Sequence, residues 1–206
     1  MAIEGWYANL TFFLRWMHIL FGIIWIGHLY FFNFVNVPFQ AGLAKEVKPQ
    51  VNPALLGRAL WWFRWGAMMT WLIGIALLLV KYTEGGLWTE ASTGTMSHRA
   101  MWILWGGLLG TIMWFNVWFI IWPAQKQLLG WMKAGQAPPP EAANLAPRAL
   151  KASRINVFLS GPMLFAMIAP NNYGSINAVT LLVTIAVGLL FIWGFIRMSY
   201  KVGQDI

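Results

Sequence analysis

Residues 10–37 read LTFFLRWMHILFGIIWIGHLYFFNFVNV, an apolar run that carries one arginine, two histidines and two late asparagines. A helix that crosses a bilayer needs about 20 mostly apolar residues, so this run is long enough to span. Working outward, similar stretches extend over Ala59–Val80, Ala100–Trp122 and Ile176–Ile196, each closed by proline or by charge. A shorter stretch, Ile155–Ala169, contains Pro162 and is followed by Pro170, so its residues admit either a fifth span or a re-entrant segment.

Composition agrees with lipid as the solvent. The 206 residues are 59% hydrophobic and only 10% charged, with a mean hydropathy of +0.61, whereas soluble domains carry about 25% charged residues. There is no cysteine, which excludes disulfides, thiolate zinc sites, iron–sulfur clusters and covalently attached haem c within this chain. The net charge of +8 needs no nucleic acid, because membrane proteins concentrate lysine and arginine in cytoplasmic loops. Nucleic acid is therefore not an expected partner; membrane lipid is.

Charge also sets the expected topology. With five spans, Lys45, Lys48, Arg58, Arg64, Lys126, Lys133, Arg148, Lys151, Arg154, Arg197 and Lys201 fall on one face, 11 of the 14 basic residues. Arg15, Lys81 and Arg99 fall on the other. A re-entrant fourth stretch would move Arg197 and Lys201 and blur that division, so the positive-inside rule favours five spans. The expected fold is an all-α polytopic bundle, one integral membrane domain over 1–206, with the N-terminus outside and the C-terminus cytoplasmic. The first residues lack a basic n-region and a small-residue cleavage site, so no signal peptide is expected. The loop 82–97, rich in Gly, Thr and Ser, is expected to rest on the outer surface, and the Ala137-Pro138-Pro139-Pro140 run to form a stiff cytoplasmic strap.

Ionisable groups inside a bilayer are costly, so each is a site hypothesis. His18 and His28 are separated by about 15 Å along a helix and about 80° around it, so they cannot share one metal. His98 stands at the mouth of the third span, at a depth near that of His18, and a haem between the two helices could take both as axial ligands. Gly22, one turn after His18 on the same face, leaves room for a flat macrocycle or equally for a neighbouring helix; Gly27 follows. In the second case His18 simply bonds a carbonyl or hydroxyl. Arg15 admits snorkelling to headgroups or pairing with a haem propionate. His28, near Tyr30, Asn33 and Asn36, reads more simply as structural, and His98 beside Arg99 as interfacial.

Other polar residues point to packing. Arg64 lies among Trp61, Trp62 and Trp65, where cation–π contact accounts for it. Asn116 and Asn156 are candidates for hydrogen bonds between helices, and Gly106 with Gly110 forms a GxxxG packing face. Deep tryptophans such as Trp25, Trp71 and Trp105 need an indole N–H partner or a cofactor edge. The spans hold no carboxylate, which disfavours proton- or cation-coupled transport.

Four segments carry a family resemblance. They are Arg15 to Gly27, RWMHILFGIIWIG, followed by Tyr30-Phe31-Phe32; Trp61-Trp62-Phe63-Arg64-Trp65 with Thr70 to Gly74, TWLIG; Asn116 to Lys126, NVWFIIWPAQK; and Ala134 to Pro138, AGQAP. In this order they resemble the N-terminal membrane domain family of bacterial urate oxidase (urate hydroxylase). The resemblance implies an integral component of an electron-transfer system in the bacterial cytoplasmic membrane, joined in full-length members to a c-type cytochrome domain. Here there is no Cys-x-x-Cys-His, so a c-type cytochrome is expected as a separate partner. The histidines that the family carries at either end of its fourth helix are replaced by the stretches RINVFLSGP at Arg154 to Pro162 and Pro170-Asn171-Asn172-Tyr173. Of the family's histidines, only His18 carries over.

Two expectations follow. The first is a haem b electron-transfer protein or subunit of a membrane redox complex, with His18 as one iron ligand, His98 as a weaker second, and Arg15 and Gly22 beside the macrocycle. The second is a cofactor-free accessory subunit that packs against a larger respiratory or oxidase complex.

Overall fold

The computed structural model describes residues 5–82, 88–89 and 94–203. Among them are five helices long and apolar enough to cross a membrane: α1 (Trp6–Gly42), α2 (Lys48–Tyr82), α3 (His98–Lys133), α4 (Pro140–Asn172) and α5 (Ala178–Ser199). At about 1.5 Å per residue, even α5 matches a hydrocarbon core of about 30 Å. Contacts fix the order as antiparallel neighbours: Trp71 bonds Thr111 between α2 and α3, Asn116 bonds Asn156 between α3 and α4, and Arg154 bonds Tyr200 between α4 and α5. The expected surface loop 82–97 falls mostly outside the described residues; within it, Thr89 and Met96 form an isolated bridge.

Most expected ends move outward, the start of α2 by eleven residues, from Ala59 to Lys48, and two of the shifts fall at prolines. Pro38 and Pro123 were read as ends of the first and third spans, yet α1 continues to Gly42 and α3 to Lys133. In each case the helix widens to a π-helix just before the proline, at Phe31–Asn36 and Asn116–Ile121. A proline lacks its N–H and crowds the carbonyl one turn earlier. Widening by one residue per turn takes up the missing bond without breaking the rod.

The short fourth stretch is likewise helical throughout. Its α-helical part, Leu145–Asn172, passes through Pro162 and Pro170 without turning back. Gly188 on α5 makes room for the first of these, since a Cβ there would stand 2.8 Å from Pro162 Cδ. The stretch is short on apolar residues because α4 sits in the middle of the bundle. Half of its most apolar window is buried in protein, against 11% for α5, so α4 meets helices where α5 is left to meet lipid. Ala149, Ala152, Ala166 and Ala169 let those helices approach closely.

Helix starts follow local rules. Asn177 opens α5 with a capping box, its side chain accepting from the Thr180 N–H while the Thr180 hydroxyl accepts from the Asn177 N–H. Ser97 caps α3 by accepting from the Ala100 N–H. The main core joins all five helices through Leu29, Phe63, Met113, Val157 and Ile192. A smaller cluster around Trp102, Ala166 and Ala169 closes the end near the α4–α5 connection.

Candidate functional site

α1 and α2 meet along a stripe of small residues. Gly66, Thr70 and Gly74 recur every four residues on α2 and so share one face. A Cβ on Gly66 would lie 3.0 Å from the Trp25 backbone nitrogen, and one on Gly22 would reach Thr70 Cγ2 at 4.0 Å. A Cβ on Gly74 would stand 3.1 Å from His18 Cε1 and 3.5 Å from its Nδ1. The imidazole thus occupies the room that Gly74 leaves. That glycine also uncovers the helix backbone one turn earlier, and the His18 ring lies beside the Thr70 main chain. Thr70 does not compete for the ring, because its hydroxyl donates to the Gly66 carbonyl at 2.7 Å.

The three histidines use their nitrogens differently. In His18, Nδ1 is the buried edge and has no partner in hydrogen-bond geometry, which leaves Nε2 on the accessible side of a half-buried ring. In His28, Nδ1 lies 2.7 Å from the Ile24 carbonyl. A carbonyl only accepts, so Nδ1 carries a proton and the neutral ring has a bare Nε2. His98 is exposed and the reverse holds, since its Nδ1 accepts from the Ile176 N–H at 3.2 Å. The neutral His98 ring then holds its proton on Nε2 and, so bonded, offers no free lone pair to a metal.

His18 and His98 have different neighbours. The first packs into the α1–α2 seam, while the second is tied to the α4–α5 connection. Arg15 is exposed, one turn before His18 on the same helix. Gly22 faces Thr70 within the seam rather than an open wall. Among the described residues, no three His, Asp or Glu side chains converge as a metal cluster would require.

The rest of the interior polarity is structural. Asn116 donates to Asn156 Oδ1 at 2.8 Å, and Asn156 donates to the Met113 carbonyl at 2.9 Å, as expected of bonds between helices. Tyr30 OH meets Ser160 Oγ at 3.0 Å, and Asn33 donates to Ser153 Oγ at 2.8 Å. Ser153 and Ser160 were not singled out in the sequence, although their spacing of seven places both on one face of α4. Arg64 sits 3.7 Å from the centroid of Trp122 and about 6 Å from Trp65 and Trp118, so cation–π contact does account for it. Of the deep tryptophans, Trp71 donates to Thr111, whereas the indole nitrogens of Trp25 and Trp105 are buried without a partner.

Comparison with known proteins bears on the second half of this arrangement. Residues 86–205, more than half of the chain, match a family model described as urate oxidase N-terminal. The match takes in α3, α4 and α5, including the NVWFIIWPAQK segment; α1 and α2, with His18 and His28, precede it. No curated protein matches, and no solved structure matches.

Proposed function

The chain belongs to the urate oxidase N-terminal family, and from that premise we propose that it is the membrane-embedded electron-transfer component of a redox complex. It lies in the bacterial cytoplasmic membrane with the end rich in Lys and Arg inside. A c-type cytochrome or another membrane redox subunit is its partner. The positive-inside asymmetry supports that orientation, and the exposed apolar side chains of α1 and α5 support a lipid surround.

The observation that carries the redox reading is the state of His18. A helix-packing histidine is expected to spend its buried nitrogen in a hydrogen bond. Here Nδ1 is turned to the Thr70 main chain at the margin of hydrogen-bond geometry, and no protein hydrogen bond to Nε2 is found among the described residues. A ligating imidazole normally donates its other ring N–H to a carbonyl or carboxylate, the role for which the Thr70 main chain beside His18 is placed. His18 would be the residue to hold the iron of a haem b, with Arg15 available to a propionate, while Gly22 packs against Thr70 in the seam. When bound, haem supplies reversible one-electron chemistry at its iron. This chain's part is to fix the imidazole against Gly74 and to present a cation one turn away. Because His98 spends its Nδ1 lone pair on Ile176, a second iron ligand from this chain requires that bond to break; otherwise it comes from a partner.

The test is a reduced-minus-oxidised visible spectrum of the purified protein and of His18→Ala. Soret and α bands that disappear in the variant support the proposal. A colourless protein that purifies only with partner subunits supports the cofactor-free accessory role instead.

A further inference from the structure

A groove of about 860 Å³ runs along the outside of the bundle between α1 and α2, on the stretch nearer the basic end. Gly27, His28 and Phe31 line it from α1, and Arg58, Ala59 and Trp62 from α2. A Cβ on Gly27 would meet nothing within 4 Å, so the glycine leaves its floor open. The groove is shallow and mostly open to the surroundings of the bundle, so it can seat a flat ring on one face. Its position on the lipid side restricts entry to molecules that partition into membranes.

We propose that this groove binds the head ring of a lipid-soluble hydroquinone, whose hydroxyl donates to His28 Nε2. The acceptor at His28 and the aromatic lining together point to that class. His28 Nδ1 is committed to the Ile24 carbonyl, so the nitrogen left to a ligand is a hydrogen-bond acceptor. No other protein group bonds it among the described residues. A phosphodiester or an oxidised quinone presents acceptors only and leaves that lone pair unmatched, while the ammonium or hydroxyl of a phospholipid headgroup can donate to it but brings no flat ring to the groove. A hydroquinone presents O–H groups, and its flat ring suits the aromatic sides formed by Phe31 and Trp62. Arg58, whose Nη1 donates to the Ala54 carbonyl at 3.0 Å, keeps its other N–H groups for a ligand oxygen and repels cationic amphiphiles. The contact is a hydrogen bond and nothing is transferred. It goes beyond the redox reading and does not depend on a haem at His18, since the two histidines face different surroundings.

The experiment places the full chain in nanodiscs of phosphatidylethanolamine and phosphatidylglycerol. A decyl-substituted benzohydroquinone, kept reduced, is titrated against intrinsic tryptophan fluorescence, with the matching quinone as the second probe. Gly27→Leu fills the floor and His28→Phe removes the acceptor; unchanged helicity and melting temperature establish that both fold. Saturable quenching by the hydroquinone is expected. Binding should be about tenfold weaker for the quinone and for His28→Phe, the size of one hydrogen bond, and lost in Gly27→Leu. Non-saturable quenching in the parent protein, or the same saturation in a folded His28→Phe or Gly27→Leu, overturns the proposal. Hydroquinone saturation that appears only when both lipids are replaced by phosphatidylcholine, with no dependence on His28, overturns it as well and marks the groove as a headgroup seat. A hydroquinone that saturates the His18→Ala variant separates this site from the haem question.

Discussion

The seam between α3 and α4 and the seam between α1 and α2 both bury polar side chains, but they treat them oppositely. Along α3–α4, Asn116 and Asn156 are locked to each other and to the Met113 carbonyl. Along α1–α2, the His18 ring is seated on Gly74 with Nδ1 unbonded and no protein hydrogen bond to Nε2 among the described residues. A buried polar group left without a partner costs about 1–3 kcal/mol. The α3–α4 seam therefore carries polarity that holds helices together, whereas the α1–α2 seam keeps polarity that contributes little to packing and is available to a ligand.

Removing polar groups should expose that difference. Asn156→Leu strips the Asn116 amide of its acceptor within the bundle, and a loss of about 3 kcal/mol is expected, read as the shift of the unfolding midpoint in a mild detergent titrated with SDS. Gly74→Leu should cost about 2 kcal/mol, because the new side chain overlaps the imidazole. Combining it with His18→Gly should recover most of that loss in a double-mutant cycle. Additive losses would mean that the two residues are not in contact. Ser160→Ala removes the partner of the Tyr30 hydroxyl and should cost about 1 kcal/mol. No loss is expected for His18→Leu, which removes the poorly matched nitrogen and should leave the midpoint unchanged or raise stability by up to about 1 kcal/mol. A loss as large as that of Asn156→Leu would erase the distinction and make His18 a packing residue.

The sequence is most readable where one physical rule acts alone. Apolar length marks the helices at 10–37, 59–80, 100–122 and 176–196, because hydrocarbon thickness is the only constraint on a lipid-facing rod. It reads α4 less well, since a central helix is shaped by its neighbours. The proline rule misplaces the ends at Pro38 and Pro123, because a π-turn can absorb the missing bond and leaves no residue signature of its own. GxxxG is half used: a Cβ on Gly106 would meet Ala166 and Met167 at about 3 Å, while one on Gly110 would meet nothing. The candidate site was legible on one side only. Gly22 marked α1 as a place of close approach, but the matching stripe Gly66, Thr70 and Gly74 acquires meaning only when the antiparallel register is known. The differing nitrogen states of His18, His28 and His98 depend on carbonyls and N–H groups that every residue has, and so have no sequence signal.

The proposed role of His18 is to hold an iron porphyrin. It is tested most directly by replacing the ligand with a free one. His18→Gly, purified in detergent, is predicted to lose the Soret and α bands and to regain them when millimolar imidazole is added. Parent-like bands in His18→Gly without imidazole, or a parent protein that is colourless even within its native complex, would contradict it.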